Sequence, residues 1–228
     1  MKPWILLGDS HTPDGTRLTL MTRDREHVIF ADGKILMSSR MHGSEEALAT
    51  FACAHVKTSR APRVLVGGLG LGYTLRATLD VFPPGATIVV AELVPGVVEW
   101  NRGPLGPLAD HPLHDPRVTV AIGDVAVTMR KDTAGFDAIL LDVDNGPDAF
   151  TSSLNTGLYE NHGVVQARAA LRPGGVLAVW SAWEDRKFEQ RLRWAGFAVK
   201  VHRVRARLKQ GGPRHTIFVA KSAATIEP

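Results

Sequence analysis

Short apolar runs rich in β-branched residues recur along the chain, and several end in glycine or an acid. They are Val64 to Val66, Thr87 to Glu92, Val118 to Ile122, Phe136 to Asp142 and Val176 to Trp180. Runs of this length are the pattern of strands buried on both faces of a parallel sheet. Helical spacing lies between them: Leu75 and Leu79 after the first run, Pro95 to Trp100 after the second, then Leu158 to Leu171 and Glu184 to Trp194. Ala198 to Arg205 and Thr216 to Ala220 flank Gly211-Gly212-Pro213 and predict an antiparallel hairpin. Ahead of this core, Leu18 to Met21, His27 to Phe30 and Ile35 to Met37 predict a small β appendage, with Asp32-Gly33 as its last hairpin turn. His42 to about His55 reads as a helix. Ser44 is the expected cap, and Glu45 and Glu46 suit the positive end of the helix dipole. The pattern predicts an α/β chain: a Rossmann-like sheet of about seven strands over residues 58–228, preceded over residues 1–57 by a β appendage and connecting helix.

The segment RVLVGGLGLGYTLRATLD, Arg63 to Asp80, organises the rest. It reads as strand, glycine turn and helix, the nucleotide-binding crossover of an open α/β sheet. Glycines admit a ligand close to the backbone, and amides at the start of the next helix meet its polar end. Glu92 follows Gly72 by twenty residues at the end of the second strand, where an acid accepts the hydroxyls of a ribose. Gly68, Gly70 and Gly72 are spaced G-x-G-x-G, which departs from the dinucleotide fingerprint and counts against NAD. Gly68, Glu92, Asp124 and Asp142 all fall at strand ends, on the rim where such sheets bind ligands.

Composition narrows the class. The chain has 228 residues, 44% hydrophobic and 22% charged, an ordinary balance for a globular protein. No apolar run reaches the ~20 residues of a membrane helix, so no membrane partner is expected. Cys53 is the single cysteine, which excludes an internal disulfide and fits a reducing, cytoplasmic compartment. In an Ala-rich helical stretch it reads as a small hydrophobe rather than a nucleophile. There is no zinc-type Cys/His spacing, and no metal is implied. The net charge of +4 gathers late, in Arg191, Arg193, Lys200, Arg203, Arg205, Arg207, Lys209 and Arg214. Several alternate with Val201 and Val204, the pattern of a solvated strand face, so nucleic acid is not the expected partner.

These residues resemble a known family. The GG-x-G-x-G turn, the acid after strand two, Gly123-Asp124 and FDAILLD are similar to class I S-adenosylmethionine-dependent transferases, and more narrowly to the spermidine-synthase-like family. The resemblance runs over nearly the whole chain, through Asp32-Gly33, Glu45-Glu46, VLVGGLGLGYTLRA, Glu92, Gly123-Asp124 and Asp142-Val-Asp-Asn-Gly-Pro147. It implies a seven-stranded class I methyltransferase sheet. It also implies that Gly68, Gly70, Leu71 and Gly72 pass beside a sulfonium nucleoside, Glu92 holds its ribose and Asp124 its adenine amino group. Asp142 would stand at the reacting centre as the catalytic acid-base group. An amine attacks a sulfonium carbon only when neutral, so a carboxylate that accepts its proton lowers the barrier.

Departures from the family pattern bear on the donor. Leu71 stands where the family's GGGDGG turn has an aspartate suited to the ammonium of decarboxylated S-adenosylmethionine. Putrescine N-methyltransferases of plants resemble this chain in an apolar residue followed by Gly-aromatic-Thr-Leu, here Leu71 to Leu75. The resemblance therefore favours S-adenosylmethionine and methyl transfer to a small-molecule nitrogen, with aminopropyl transfer as the rival. Leu36 replaces the family's glutamine, Ser44-Glu45-Glu46 its YHE segment, and DVDNGP a longer D-x-x-DP-x-GP. Substrate contacts are expected from His42, Glu45, Asp144, Asn145, Tyr159 and Trp180. Turn chemistry is the alternative for Asp144 and Asn145 and core packing for Tyr159 and Trp180, while His215 reads as a surface or strand residue. An RNA or protein methyltransferase would need a basic groove, and Asp142 to Pro147 lacks the NPPY-type motif. A non-catalytic nucleoside-binding module would tolerate Asp142→Asn. Relatives commonly dimerise, so a homodimer is expected, with the β appendage as contact.

Overall fold

The structure, a computed structural model, describes residues 2–54, 56, 60–143, 157–207 and 211–223. An N-terminal antiparallel sheet holds β1 (Ile5–His11), β2 (Arg17–Arg23), β3 (Glu26–Ala31) and β4 (Lys34–Ser38) in chain order. Helix α1 (Gly43–Cys53) leads to the large sheet. There β5 (Arg63–Gly67), α2 (Tyr73–Val81), β6 (Thr87–Glu92), α3 (Pro95–Arg102), β7 (Val118–Ile122), α4 (Val125–Lys131) and β8 (Phe136–Leu141) follow in turn. Then come α5 (Asn161–Ala170), β9 (Leu171–Ser181), α6 (Arg186–Trp194), β10 (Phe197–Arg207) and β11 (Gly211–Ser222). The seven strands are ordered β10-β11-β9-β8-β5-β6-β7. Strands β5 to β9 pair in parallel, and β11 is antiparallel to both β9 and β10.

Strand alternation splits the core into two layers. Val64, Val66, Val90, Leu140 and Trp180 face α1 and α2, while Leu65, Ile139, Val179 and Phe218 face α5 and α6. Leu48, Ala49 and Ala52 of α1 are fully buried in the first layer, so this helix shares the core of the large sheet. Gly8 lets β1 lie against α3, since a Cβ there would fall 2.1 Å from the Trp100 indole nitrogen. The small sheet is thereby held over the rim where β6 ends.

Several elements differ from the sequence reading. The appendage has four strands rather than three. β1 was missed because Ile5, Leu6 and Leu7 are all solvent-facing, which leaves no alternation to read. Helix α4 was also missed: it is seven residues long and buries only Val125 and Met129. Strand β9 starts at Leu171 instead of Val176, with Pro173-Gly174-Gly175 absorbed where the pairing slips between Phe136↔Leu171 and Ala138↔Val176. Gly211-Gly212-Pro213 lies inside β11 rather than between two strands. Ser44 does not cap α1. It sits inside the first turn, its hydroxyl engaged elsewhere, and His42 takes the cap position without a side-chain bond to the helix amides. Cys53 is partly buried as a small apolar group, with its thiol donating to the Val81 carbonyl oxygen at 3.1 Å. The basic residues of the late segment are partly neutralised, Arg191 by Glu160, Arg193 by Glu189 and Arg203 by Glu184.

Candidate active site

Two adjoining cavities open on the carboxyl ends of the parallel strands, and Gly70, Leu36, Met37 and Asp142 line both. The first, about 220 Å³, is floored by Gly68, Glu92, Asp124 and Asp142, one from the end of each of four strands. Thr12, Thr16, Leu18 and Ile29 of the small sheet roof it. Apolar Leu93, Val94, Val97 and Val125 form part of its wall.

Glu92 is 7% exposed, and its two carboxylate oxygens accept the amides of Leu69 at 2.9 Å and Val94 at 2.8 Å. Burial pushes this carboxyl up, and those amides pull the other way. Glu92 also lines the cavity, so a pair of vicinal hydroxyls has an acceptor held in place. Asp124 caps α4 by accepting from the Ala126 amide at 2.8 Å while lining the same cavity. At Gly68, φ is +88° and a Cβ would fall 2.2 Å from the Asp142 carbonyl oxygen. Gly68→Ala is accordingly expected to cost roughly 1–3 kcal/mol and to abolish nucleoside binding. A thermal melt with calorimetric titration reads both. Gly72 serves differently: its φ is +88° at the start of α2, it faces Asn101 and Pro112, and it lines neither cavity. A glycine-floored, apolar-walled cleft with a fixed buried carboxylate can take a ligand that presents hydroxyls on a flat apolar body.

The second cavity, about 170 Å³, is where acids and aromatic rings meet: Glu45, Asp142, Tyr73, Trp180 and His215 line it. Leu71 lines this cavity and not the first, and is 5% exposed. Asp142 accepts a hydrogen bond from the Thr74 hydroxyl at 2.5 Å. Burial raises the Asp142 carboxyl despite that bond. Burial, and next the charge of Asp142, raise Glu45. Two carboxylates that resist ionising together are stabilised by a cation, and either can take a proton from one. His42 stands behind this cavity, stacked on Tyr73 with ring centroids 4.2 Å apart and bonded to Glu46 at 2.6 Å. Tyr159 lies in the core, 2% exposed, its hydroxyl donating to the Val143 carbonyl oxygen at 3.1 Å, and lines neither cavity. Asp144 and Asn145 fall outside the described residues. Among those residues no group of three or more His, Cys, Asp or Glu could hold a metal ion.

Sequence reasoning missed His215, Tyr73, Thr74 and Met37 as cavity residues. Their placement depends on pairing that spacing does not reveal. β11 runs antiparallel beside β9 with Ile217 opposite Trp180, which brings His215 edge-on to the Trp180 ring at 4.7 Å. Thr12 and Thr16 of the roof were missed as well: they stand at the two ends of the loop between β1 and β2 and reach the cavity only through the docking of the small sheet.

The strand order and the rim of acids define a class I S-adenosylmethionine-type transferase fold. A spermidine synthase from Thermotoga maritima shares it with a TM-score of 0.75 over 96% of this chain and 73% of that one, at 20% identity. No family model matches the chain. Among curated proteins, putrescine N-methyltransferase 4 of Nicotiana tabacum is 35% identical over 118 residues, 50% of this chain and 28% of that protein. Spermidine synthase of Dictyostelium discoideum is 30% identical over 168 residues, 70% of this chain and 54% of that protein. These relatives and the structural neighbour match the spermidine-synthase-like family of transferases. The chain spans about half or less of the length of these curated relatives.

Proposed function

We propose that this chain transfers a methyl group from S-adenosylmethionine to the nitrogen of a small-molecule amine, as a cytoplasmic homodimer. The observation that carries the reading is the junction of the two cavities at Asp142. A sulfonium donor supplies an electrophilic carbon and a neutral thioether leaving group. Glu92 receives the ribose hydroxyls, Asp124 the adenine amino group, and Gly68 and Gly70 admit the nucleoside against the backbone. Asp142 accepts the proton of the incoming ammonium and orients the freed lone pair, the alignment that turns a bimolecular encounter into a positioned attack. Glu45 offsets the remaining charge of the acceptor, and the Trp180 and Tyr73 rings offer π-faces to it. Exposed Ile5, Leu6 and Ile35 on the small sheet support the homodimer.

Leu71 supports methyl over aminopropyl transfer, because a buried leucine provides no counter-ion for the ammonium of a decarboxylated donor. Aminopropyl transfer draws support from Glu45, a carboxylate in the same cavity. Incubation with putrescine and either donor, read by mass spectrometry, separates the two. N-methyl product from S-adenosylmethionine is expected, and aminopropyl product from the decarboxylated donor overturns the proposal. Leu71→Asp is expected to shift donor preference toward the decarboxylated form by about 10- to 100-fold, the effect of one charge-assisted bond of about 1.5–3 kcal/mol.

A further inference from the structure

His215 belongs to the last strand, yet its imidazole Nδ1 lies 2.8 Å from the hydroxyl of Ser44 on α1, 171 positions earlier in the chain. The same hydroxyl donates to Glu45 Oε2 at 2.6 Å. Ser44 is fully buried, while His215 is half-buried and lines the second cavity. One edge of its ring rests on Trp180. A hydroxyl carries one hydrogen, and Ser44 gives it to Glu45. The imidazole must then be the donor to Ser44, which assigns its hydrogen to Nδ1 while Glu45 is ionised. The chain His215–Ser44–Glu45 is thus oriented from end to end, and both termini, the Glu45 carboxylate and the half-buried His215 ring, line the second cavity.

We propose that His215 is a positioning residue that acts through Ser44 to hold the Glu45 carboxylate toward the acceptor nitrogen and to pass that nitrogen's proton to solvent. The inference rests on the amine-acceptor reading above. The step begins once Asp142 has taken the first proton and the neutral amine has been methylated. The product ammonium gives a second proton to an ionised Glu45, which leaves a neutral methylated amine and a carboxylic acid. Glu45 then donates that hydrogen to Ser44, and Ser44 donates its own to Nδ1 of an imidazole whose hydrogen is on Nε2. The Nε2 hydrogen leaves to water. The end state is an ionised Glu45 and an Nδ1-protonated neutral ring, the arrangement from which the chain of donors was read, and hydrogen exchange of the ring with water resets it. Burial holds His215 below its ordinary range, so the ring is neutral near pH 7 and able to carry the proton onward. The same three-group logic, in which a base is oriented by a further side chain, is general in catalysis.

Side-chain nitrogen NMR of the purified full chain, without substrate at pH 10, above the value of about 8 to which burial and the neighbouring Asp142 raise Glu45, reads the tautomer of His215 directly. The Nδ1-bound hydrogen is expected in the native protein, and Ser44→Ala is expected to release the ring to the Nε2-bound form. A native ring already in the Nε2-bound form, unchanged by Ser44→Ala, overturns the proposal whatever the enzyme does. Turnover is then measured with methyl-labelled S-adenosylmethionine and putrescine as the acceptor probe. His215→Gln and Ser44→Ala are each expected to lower kcat about tenfold with donor binding intact. Millimolar imidazole is expected to restore part of the loss in His215→Ala and none in Ser44→Ala. Native kcat in both variants, or a change in acceptor KM alone without imidazole rescue, overturns it in favour of plain wall packing. A native protein that moves no group to putrescine counts against the amine reading, and the tautomer then decides the relay by itself.

Discussion

Asp142→Asn is expected to lower kcat by about 10²- to 10⁴-fold, the usual contribution of a positioned acid-base group, while nucleoside binding persists. The substitution keeps the shape of the side chain and its bond with Thr74, now at a carboxamide oxygen. What it removes is the capacity to take a proton at the point shared by both cavities. Burial does most to raise Glu45 and the Asp142 charge comes next; the variant removes only the charge, so the Glu45 carboxyl is expected to move part of the way back toward its ordinary range. Steady-state kinetics on the variant, with donor binding followed separately by calorimetry, checks both parts. A variant with native kcat would show that Asp142 merely ends a strand and takes no part in the transfer.

Glu45→Gln is expected to weaken the enzyme and strengthen the fold at alkaline pH. Burial and the neighbouring Asp142 raise the Glu45 carboxyl. The folded protein therefore keeps a proton that the unfolded chain has already lost. For a carboxyl raised in this way, the stabilising contribution is complete below the ordinary carboxylate range and disappears as pH climbs through the raised value. Asp142 and Glu92 are raised as well and act in the same direction. Glutamine does not ionise, so Glu45→Gln retains its contribution at pH 9. One pKa unit corresponds to about 1.4 kcal/mol, and each kcal/mol to about 2–4 °C for a chain of this size. Thermal melts should agree at pH 4 and diverge by a few degrees in the variant's favour at pH 9, while its KM for the amine rises. Adding an amine substrate to the native protein should close part of that gap, because a cation in the cavity supplies the neutralisation that Gln provides by substitution.

Much of this arrangement was legible from residue order because buried parallel strands are nearly continuous apolar runs. Val64 to Val66 and Thr87 to Glu92 could hardly be read otherwise, and an open α/β sheet places the ends of such strands on one rim. The floor of the first cavity followed: Gly68, Glu92, Asp124 and Asp142 line it together. The second cavity was read only in part. Glu45 and Trp180 were anticipated through family likeness, but their neighbours Tyr73, Thr74 and His215 depend on how α1 and β11 dock, and each contact joins residues far apart in the chain. Ser44 shows the limit. As a small polar residue near a helix start it reads as a cap, yet the helix begins one residue earlier and tertiary packing redirects the hydroxyl to His215 and Glu45. Tyr159 shows the reverse, an aromatic residue near the site whose hydroxyl is satisfied inside the core.

The central claim is that the cleft takes a full sulfonium amino acid beside an amine cavity. Calorimetric titration of the purified protein with S-adenosylmethionine and, separately, with decarboxylated S-adenosylmethionine tests it most directly. Tighter binding of S-adenosylmethionine is the predicted result, and it directs the search toward amine acceptors of a methyl group. Tighter binding of the decarboxylated donor would contradict methyl transfer and make this chain an aminopropyltransferase in spite of Leu71.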